Sequence, residues 1–208
     1  MIAATSMVFV VDDDLSVRKS LTRLLTSAGY AVEAFASTKE FLARAPYPGA
    51  CCLVLDIRMP GGTGLELQET LAATGRRASI VFLTGHVDVP MSVRAMKRGA
   101  ADLLTKPVDD EDLLASIDRA LAKDVRDLDE EARVADVRSR VALLTPRETE
   151  VFALVVTGML NKQVAGALGI SEKTIKVHRA RVMEKMRAGS MAELVRLADR
   201  VGVIVPKA

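Results

Sequence analysis

Two stretches of this 208-residue chain, Val8-Phe9-Val10-Val11 and Cys51-Cys52-Leu53-Val54-Leu55, are apolar without a break. Successive strand side chains point to opposite faces of a sheet. A strand that is apolar at every position must therefore be covered on both faces, as in a parallel sheet flanked by helices. The two runs extend to strand candidates Met7–Val11 and Cys51–Asp56, and Ala31–Ala34, Ser79–Thr84 and Asp102–Thr105 join them. Amphipathic stretches near 16–27, 37–44, 64–74, 89–98 and 110–122 alternate with these strands. Five βα units in series predict an α/β doubly wound, five-stranded parallel sheet with right-handed crossovers.

Residues 123–141 contain neither Gly nor Pro, and Leu114, Ile117, Leu121, Val125, Leu128, Ala132 and Ala135 recur at steps of three and four. The fifth helix is therefore expected to continue as a linker helix with one apolar stripe. That stripe can pack within the chain or pair with a second subunit, and so few heptads favour packing. Residues 142–208 read as all helix. Thr145-Pro146-Arg147-Glu148 and Ser190-Met191-Ala192-Glu193 have the form of capping boxes, as does Ser37-Thr38-Lys39-Glu40 earlier. The expected division is a domain over 1–122, a linker over 123–141 and a second domain over 142–208.

The net charge of +2 conceals an asymmetry. Residues 1–122 carry 13 basic against 15 acidic side chains, 123–141 carry 5 against 6, and 142–208 carry 11 against 6. A basic C-terminal third points to an anionic partner for that part alone. The hydrophobic content of 50% excludes a disordered chain. No apolar run approaches the ~18 residues of a membrane span. The two cysteines, Cys51 and Cys52, are adjacent and cannot staple distant segments, so a cytoplasmic location is expected.

Ligands of open parallel sheets sit beyond the carboxyl ends of the strands. There the chain places Asp12-Asp13-Asp14 after the first strand, Asp56 at the end of the third, Thr84 at the end of the fourth and Lys106 after the fifth. Converging carboxylates repel one another and need a cation, and hard oxygen donors suit Mg²⁺. A hydroxyl and an ammonium beside them supply partners for phosphoryl oxygens. An ionised Asp with Mg²⁺ on one side and a lysine on the other has the chemistry of a phosphoryl acceptor. Each residue alone has an ordinary explanation as a cap, turn or surface group; their common edge does not.

The motifs Val-Asp-Asp-Asp at 11–14, Leu-Asp-Ile-Arg-Met-Pro-Gly at 55–61, Leu-Thr-Gly-His at 83–86 and Thr-Lys-Pro at 105–107 resemble the receiver domain of two-component response regulators, with its flavodoxin-like fold, over residues 7–122. The resemblance implies Asp56 as the phosphorylation site, supplied by a sensor histidine kinase. It implies Mg²⁺ held by Asp13, Asp56 and the Arg58 main-chain carbonyl, with Asp12 acting through water. Thr84 and Lys106 would bind the phosphoryl group and move on activation. The chain departs from the family at Leu103, where a switching aromatic usually stands, so the shift of Thr84 must carry the signal.

Asn161–Leu168 and Glu172–Met186 are two helix candidates joined by Gly169-Ile170-Ser171. Ala165 allows close helix approach, Gly169 a positive φ, and Ile175 an anchor, as a helix-turn-helix requires. Ile175, Val182 and Met186 form an inward stripe; Lys173, Lys176, Val177 and Ala180 lie opposite, edged by Arg179 and Arg181. A helix of this kind fits the major groove. His178 can touch phosphate or wedge between helices. Leu-Thr-Pro-Arg-Glu at 144–148, Asn161 to Ala165, and Leu168 to Arg179 make 143–200 resemble the LuxR-type output domain of FixJ/NarL-type regulators. The resemblance implies base contacts from Lys176 and Val177 and phosphate contacts from Lys162, Lys173, Thr174, Arg179 and Arg181. It implies a homodimer on promoter DNA through helix 190–201 and, for an activator, RNA polymerase as a partner. Two rival readings are a DNA-binding protein with a phosphate-insensitive docking module and a metabolite phosphatase using Asp56. The second lacks an acid-base partner, and no turnover enzyme is expected.

Overall fold

The computed structural model describes residues 6–85 and 88–203. Strands β1 (Met7–Val11), β2 (Ala31–Phe35), β3 (Cys51–Asp56), β4 (Ser79–Thr84) and β5 (Asp102–Thr105) form one parallel sheet in the order β2-β1-β3-β4-β5. Helices α1 (Leu15–Ser27), α2 (Thr38–Ala43), α3 (Gly64–Thr74), α4 (Val89–Lys97) and α5 (Asp110–Val141) follow the strands in turn. Element ends agree with the expected ones within one residue, and α5 runs on without a break through 123–141, as expected of a linker helix.

The uninterrupted apolar strands feed two cores. Phe9, Val11, Leu53, Leu55 and Phe82 pack with α2, α3 and α4 on one face, while Val8, Val10, Cys52, Val54, Val81 and Leu83 pack with α1 and α5 on the other. This alternation is the two-residue period of a strand, buried on both sides. The strand order reverses direction between β1 and β3, which opens a crevice at their carboxyl ends.

The chain divides into two compact units on either side of Leu128 and Asp129, a boundary within α5. The second unit contains α6 (Pro146–Val155), α7 (Asn161–Leu168), α8 (Glu172–Met186) and α9 (Met191–Arg200) around a core of Val151, Phe152, Val164, Ile175, Val182 and Leu194. Here the expected stripe of α5 is corrected: Ala132 and Ala135 are exposed, and Val137 and Val141 pack into the core. The valines bury more apolar area than alanine at the same helical step, so they decide which face turns inward.

Capping chemistry sets the helix starts. Thr63 and Thr145 form complete capping boxes with Glu66 and Glu148. At Ser37 and Ser190 the serine accepts the expected N–H, but Glu40 and Glu193 reach one residue further back, to the amides of Ala36 and Gly189. Glu148 does more than cap. Its side chain, 2% exposed, accepts the Thr145 amide at 2.9 Å and the Lys185 ammonium at 2.5 Å, tying the start of α6 to the end of α8. The Lys185 hydrogen bond, helped by the Thr145 amide, holds the carboxyl down to about 2. A depressed pKa contributes stability that is complete above the ordinary Glu value of ~4.3 and is lost as pH falls through the folded value. Glu148→Ala is expected to cost the second unit about 3 kcal/mol in urea unfolding at neutral pH, because it strands a partly buried ammonium and an amide. The gap from wild type should narrow on acidification below ~4; a gap constant down to about pH 3 would refute the role of the ion pair.

Candidate functional site

At the carboxyl edge of the sheet, β1, β3 and β4 deliver Asp12, Asp56 and Thr84 to one place, and the residue after β5 delivers Lys106. Residues almost a hundred positions apart meet there. The Lys106 Nζ donates to Asp12 Oδ2 and to Asp56 Oδ2, each at 2.6 Å. Partial burial opposes its charge, yet the hydrogen bonds it donates to these two carboxylates raise the lysine above its usual pKa. Asp12, Asp13 and Asp56 each offer a carboxylate oxygen within 4.8 Å of the others. Asp12 is buried, Asp56 half-buried and Asp13 exposed, so the group opens toward solvent on one side. Among the described residues this is a set of hard donors suited to a small divalent cation.

Neighbouring backbone holds the carboxylates in place. Asp12 Oδ1 accepts the Asp14 amide at 2.8 Å, and Asp56 Oδ1 accepts the Arg58 amide at 3.0 Å. Asp14 stands apart from the cluster: its side chain accepts the amides of Ser16 and Val17 and caps α1. Arg18, which the sequence did not single out, donates to the Asp12 carbonyl at 2.7 Å. Thr84 is buried at the end of β4. Leu103, in place of an aromatic, is half-buried against the core that includes Ala95 and Met91 of α4. His86 of the Leu-Thr-Gly-His motif lies outside the described residues.

In the second unit, α7 and α8 meet across Gly169, whose φ of 65° is the left-handed conformation that a side chain disfavours. Ser171 caps α8 through the Thr174 amide, and its hydroxyl lies 2.8 Å from Thr174 Oγ1. Ile175, Val182 and Met186 are buried; Lys173, Thr174, Lys176, Val177, Ala180 and Arg181 are exposed, with Val177 at 47%. Lys162 is exposed on α7. Arg179 is half-buried and donates to Asn161 Oδ1 at 2.9 Å, so Asn161 orients it. His178 lies three residues after Ile175 and four before Val182, on their side of α8, and its Nδ1 is buried with no hydrogen-bond partner. The structure thus favours the wedge over the phosphate contact for that nitrogen. The exposed face of α8 carries cations around two small apolar side chains, Val177 and Ala180, a composition suited to phosphates, guanine acceptors and a thymine methyl.

Both thiols are free and buried, one on each face of the sheet; burial pushes Cys51 up to about 12 and Cys52 well above its ordinary value. Neither has thiolate character. Among the described residues no helix is long and apolar enough to cross a membrane.

Known proteins share this pairing of domains. The family profile described as "Response regulator receiver domain" matches residues 8–118, and that of "Bacterial regulatory proteins, luxR family" matches residues 142–198. Nodulation protein W of Bradyrhizobium diazoefficiens is 46% identical over 198 residues, covering 95% of this chain and 87% of that protein. The transcriptional regulatory protein FixJ of the same organism is 44% identical over 197 residues, covering 95% and 96%. Among solved structures, the response regulator StyR superposes with a TM-score of 0.82 at 45% identity, covering 95% of this chain and all of that one. Full-length FixJ from B. japonicum gives a TM-score of 0.57 at 41% identity, covering 97% and 100%. The sheet with its acidic pocket lies in the part matched as a receiver domain and the α7–α8 pair in the part matched as luxR-type, and the chain belongs to the FixJ-like response regulators, transcriptional regulators that join a receiver domain to a LuxR-type DNA-binding domain.

Proposed function

We propose that phosphorylation of Asp56 by a sensor histidine kinase, with Mg²⁺ bound, controls the binding of α8 to promoter DNA. The observation that carries this reading is the Lys106 ammonium bridging Asp12 and Asp56 at 2.6 Å on each side. A carboxylate oxygen of Asp56 attacks the phosphorus, and the bond from phosphorus to the donor breaks. Receiver domains bind Mg²⁺ at an acidic pocket; here Asp12, Asp13 and Asp56, with the Arg58 carbonyl, would hold it, and it would offset the charge on the phosphoryl oxygens. Lys106 pairs with a phosphoryl oxygen, and the Thr84 hydroxyl is drawn in to donate to another. Leu103 has no ring to rotate, so the displacement of Thr84 passes through side-chain packing toward α4. That helix exposes Val89, Val93 and Met96 at steps of four and three, which supports a phosphorylation-dependent homodimer.

On DNA, Lys176 and Val177 read bases, while Lys162, Lys173, Thr174, Arg179 and Arg181 hold phosphates. Two recognition helices in a dimer would address two half-sites. The protein works in the cytoplasm, and RNA polymerase is a partner if it activates. The test is a set of anisotropy titrations of the full chain on DNA selected from a random pool. Acetyl phosphate with Mg²⁺ is expected to tighten binding on the order of 10-fold, an effect abolished by EDTA added beforehand. Lys176→Ala should cost about 1–3 kcal/mol of sequence discrimination in both states. Equal binding with and without acetyl phosphate would favour the phosphate-insensitive docking module instead.

A further inference from the structure

In the charged stretch 123–141, Asp124 behaves unlike its neighbours. It is 4% exposed, although Lys123 and Arg126 beside it on α5 are exposed. A carboxylate taken from water into a protein must find donors. Asp124 Oδ2 accepts the Cys51 amide at 2.9 Å, Oδ1 accepts Arg77 Nη2 at 3.2 Å, and the same Nη2 donates to the Asp124 carbonyl at 3.2 Å. Burial still raises the carboxyl above its ordinary value, against the opposing Cys51 amide and the Arg77 charge.

The position of the two donors matters. Cys51 is the first residue of β3, whose last residue is Asp56. Arg77 lies two residues before β4, whose last residue is Thr84. One side chain of α5 therefore holds the starting ends of the two central strands that carry the phosphoryl acceptor and the switch hydroxyl at their far ends. Both strands are paired on both sides and buried, so they are stiff. The helix continues from Asp124 to Val141, where Val137 and Val141 belong to the core of the DNA-binding unit. A slip or rotation of α5 against the sheet would leave a buried carboxylate without donors.

We infer that Asp124 is a positioning residue for signal output: it fixes α5 to the acceptor strands so that a change at the phosphorylated edge reaches the DNA-binding unit. The inference rests on the reading that phosphorylation of Asp56 controls DNA binding. Asp124 does not touch the acceptor pocket, so its loss should leave the chemistry of Asp56 intact and uncouple the output.

The experiment uses the full chain, wild type, Asp124→Ala and Asp124→Asn. Phosphoryl incorporation from acetyl phosphate is followed by phosphate-affinity gel, and DNA affinity is measured with and without phosphorylation. A general loss of fold lowers both affinities together; the ratio between them reports coupling. Wild type should show a ratio on the order of 10. Asp124→Ala should accept phosphate to the wild-type extent with its ratio reduced to about 1–2, a loss of most of that coupling. Asp124→Asn keeps an oxygen for the Cys51 amide and loses the charge opposite Arg77, so its ratio should fall between the two. If Asp124→Ala does not give a folded circular-dichroism spectrum, Asp124→Asn decides alone. A wild-type ratio in whichever folded variant is used overturns the inference and leaves the phosphorylation reading standing. A wild-type chain that takes no phosphate, or whose DNA affinity ignores it, overturns both.

Discussion

Asp56→Asn is expected to reduce phosphoryl incorporation from acetyl phosphate by on the order of 10³-fold or more, the scale of removing a nucleophile. An amide has neither the charge nor the lone-pair basicity of a carboxylate, and Asn in place of Asp56 also removes one of the donors within the 4.8 Å cluster. Two neighbouring carboxylates are already engaged. Asp12 is buried with Oδ1 on the Asp14 amide and Oδ2 on Lys106, and Asp14 is committed to capping α1. Stability should move in the opposite direction from activity, or not at all. The variant relieves repulsion among three converging carboxylates while Lys106 keeps its 2.6 Å partner in Asp12. A melting temperature at or above wild type, with incorporation at background, is the expected pair of results. Normal labelling of Asp56→Asn would refute the assignment of the acceptor.

The second large effect is expected at Gly64, the first residue of α3. A Cβ built there would lie 2.4 Å from the Asp56 carbonyl oxygen, 3.0 Å from Leu55 Cγ and 3.1 Å from Phe82 Cε1. The nearest atom is backbone of a central strand and cannot rotate away. α3 begins this close because the Gly64 amide donates to the Ile57 carbonyl at 2.9 Å and Thr63 caps the helix immediately before it. Gly64→Ala must lift α3 or push the end of β3, and about 3 kcal/mol or more of the first unit's stability should be lost. The fraction that stays folded should also label poorly, because the displaced backbone is that of Asp56, the proposed acceptor. Denaturant unfolding followed by labelling under folded conditions checks both. A loss below about 1 kcal/mol with normal labelling would show that the strand end yields easily.

Much of the fold could be read along the chain because its signals are local. Continuous apolar strands, helical periods, caps at Ser37, Thr145 and Ser190, and Gly169 with its positive φ each depend on a few neighbouring residues. The stripe on α5 was read less well. Steps of three and four fit Ala132 and Ala135 as readily as Val137 and Val141, and a core had to choose the larger pair. Asp124 could not be found at all, since a charge in a charged linker looks solvated until a strand start and an arginine from elsewhere in the chain face it. His178 was undecided for a related reason: its spacing from Ile175 and Val182 placed it near the inner face, and only packing buried its Nδ1.

By itself the sequence determined that β1 and β3 lie inside a covered parallel sheet, that acids, a threonine and a lysine end or follow its strands, and that a basic helix follows a glycine turn. Periodicity and residue chemistry suffice for those conclusions, because they act within a turn or two of chain. Tertiary structure alone decided that Lys106 bridges Asp12 and Asp56 and that Asp124 holds the starts of β3 and β4. Those choices depend on strand order and crossover, which bring together atoms from residues 47 to 94 positions apart, and no local rule ranks the partners a carboxylate meets there.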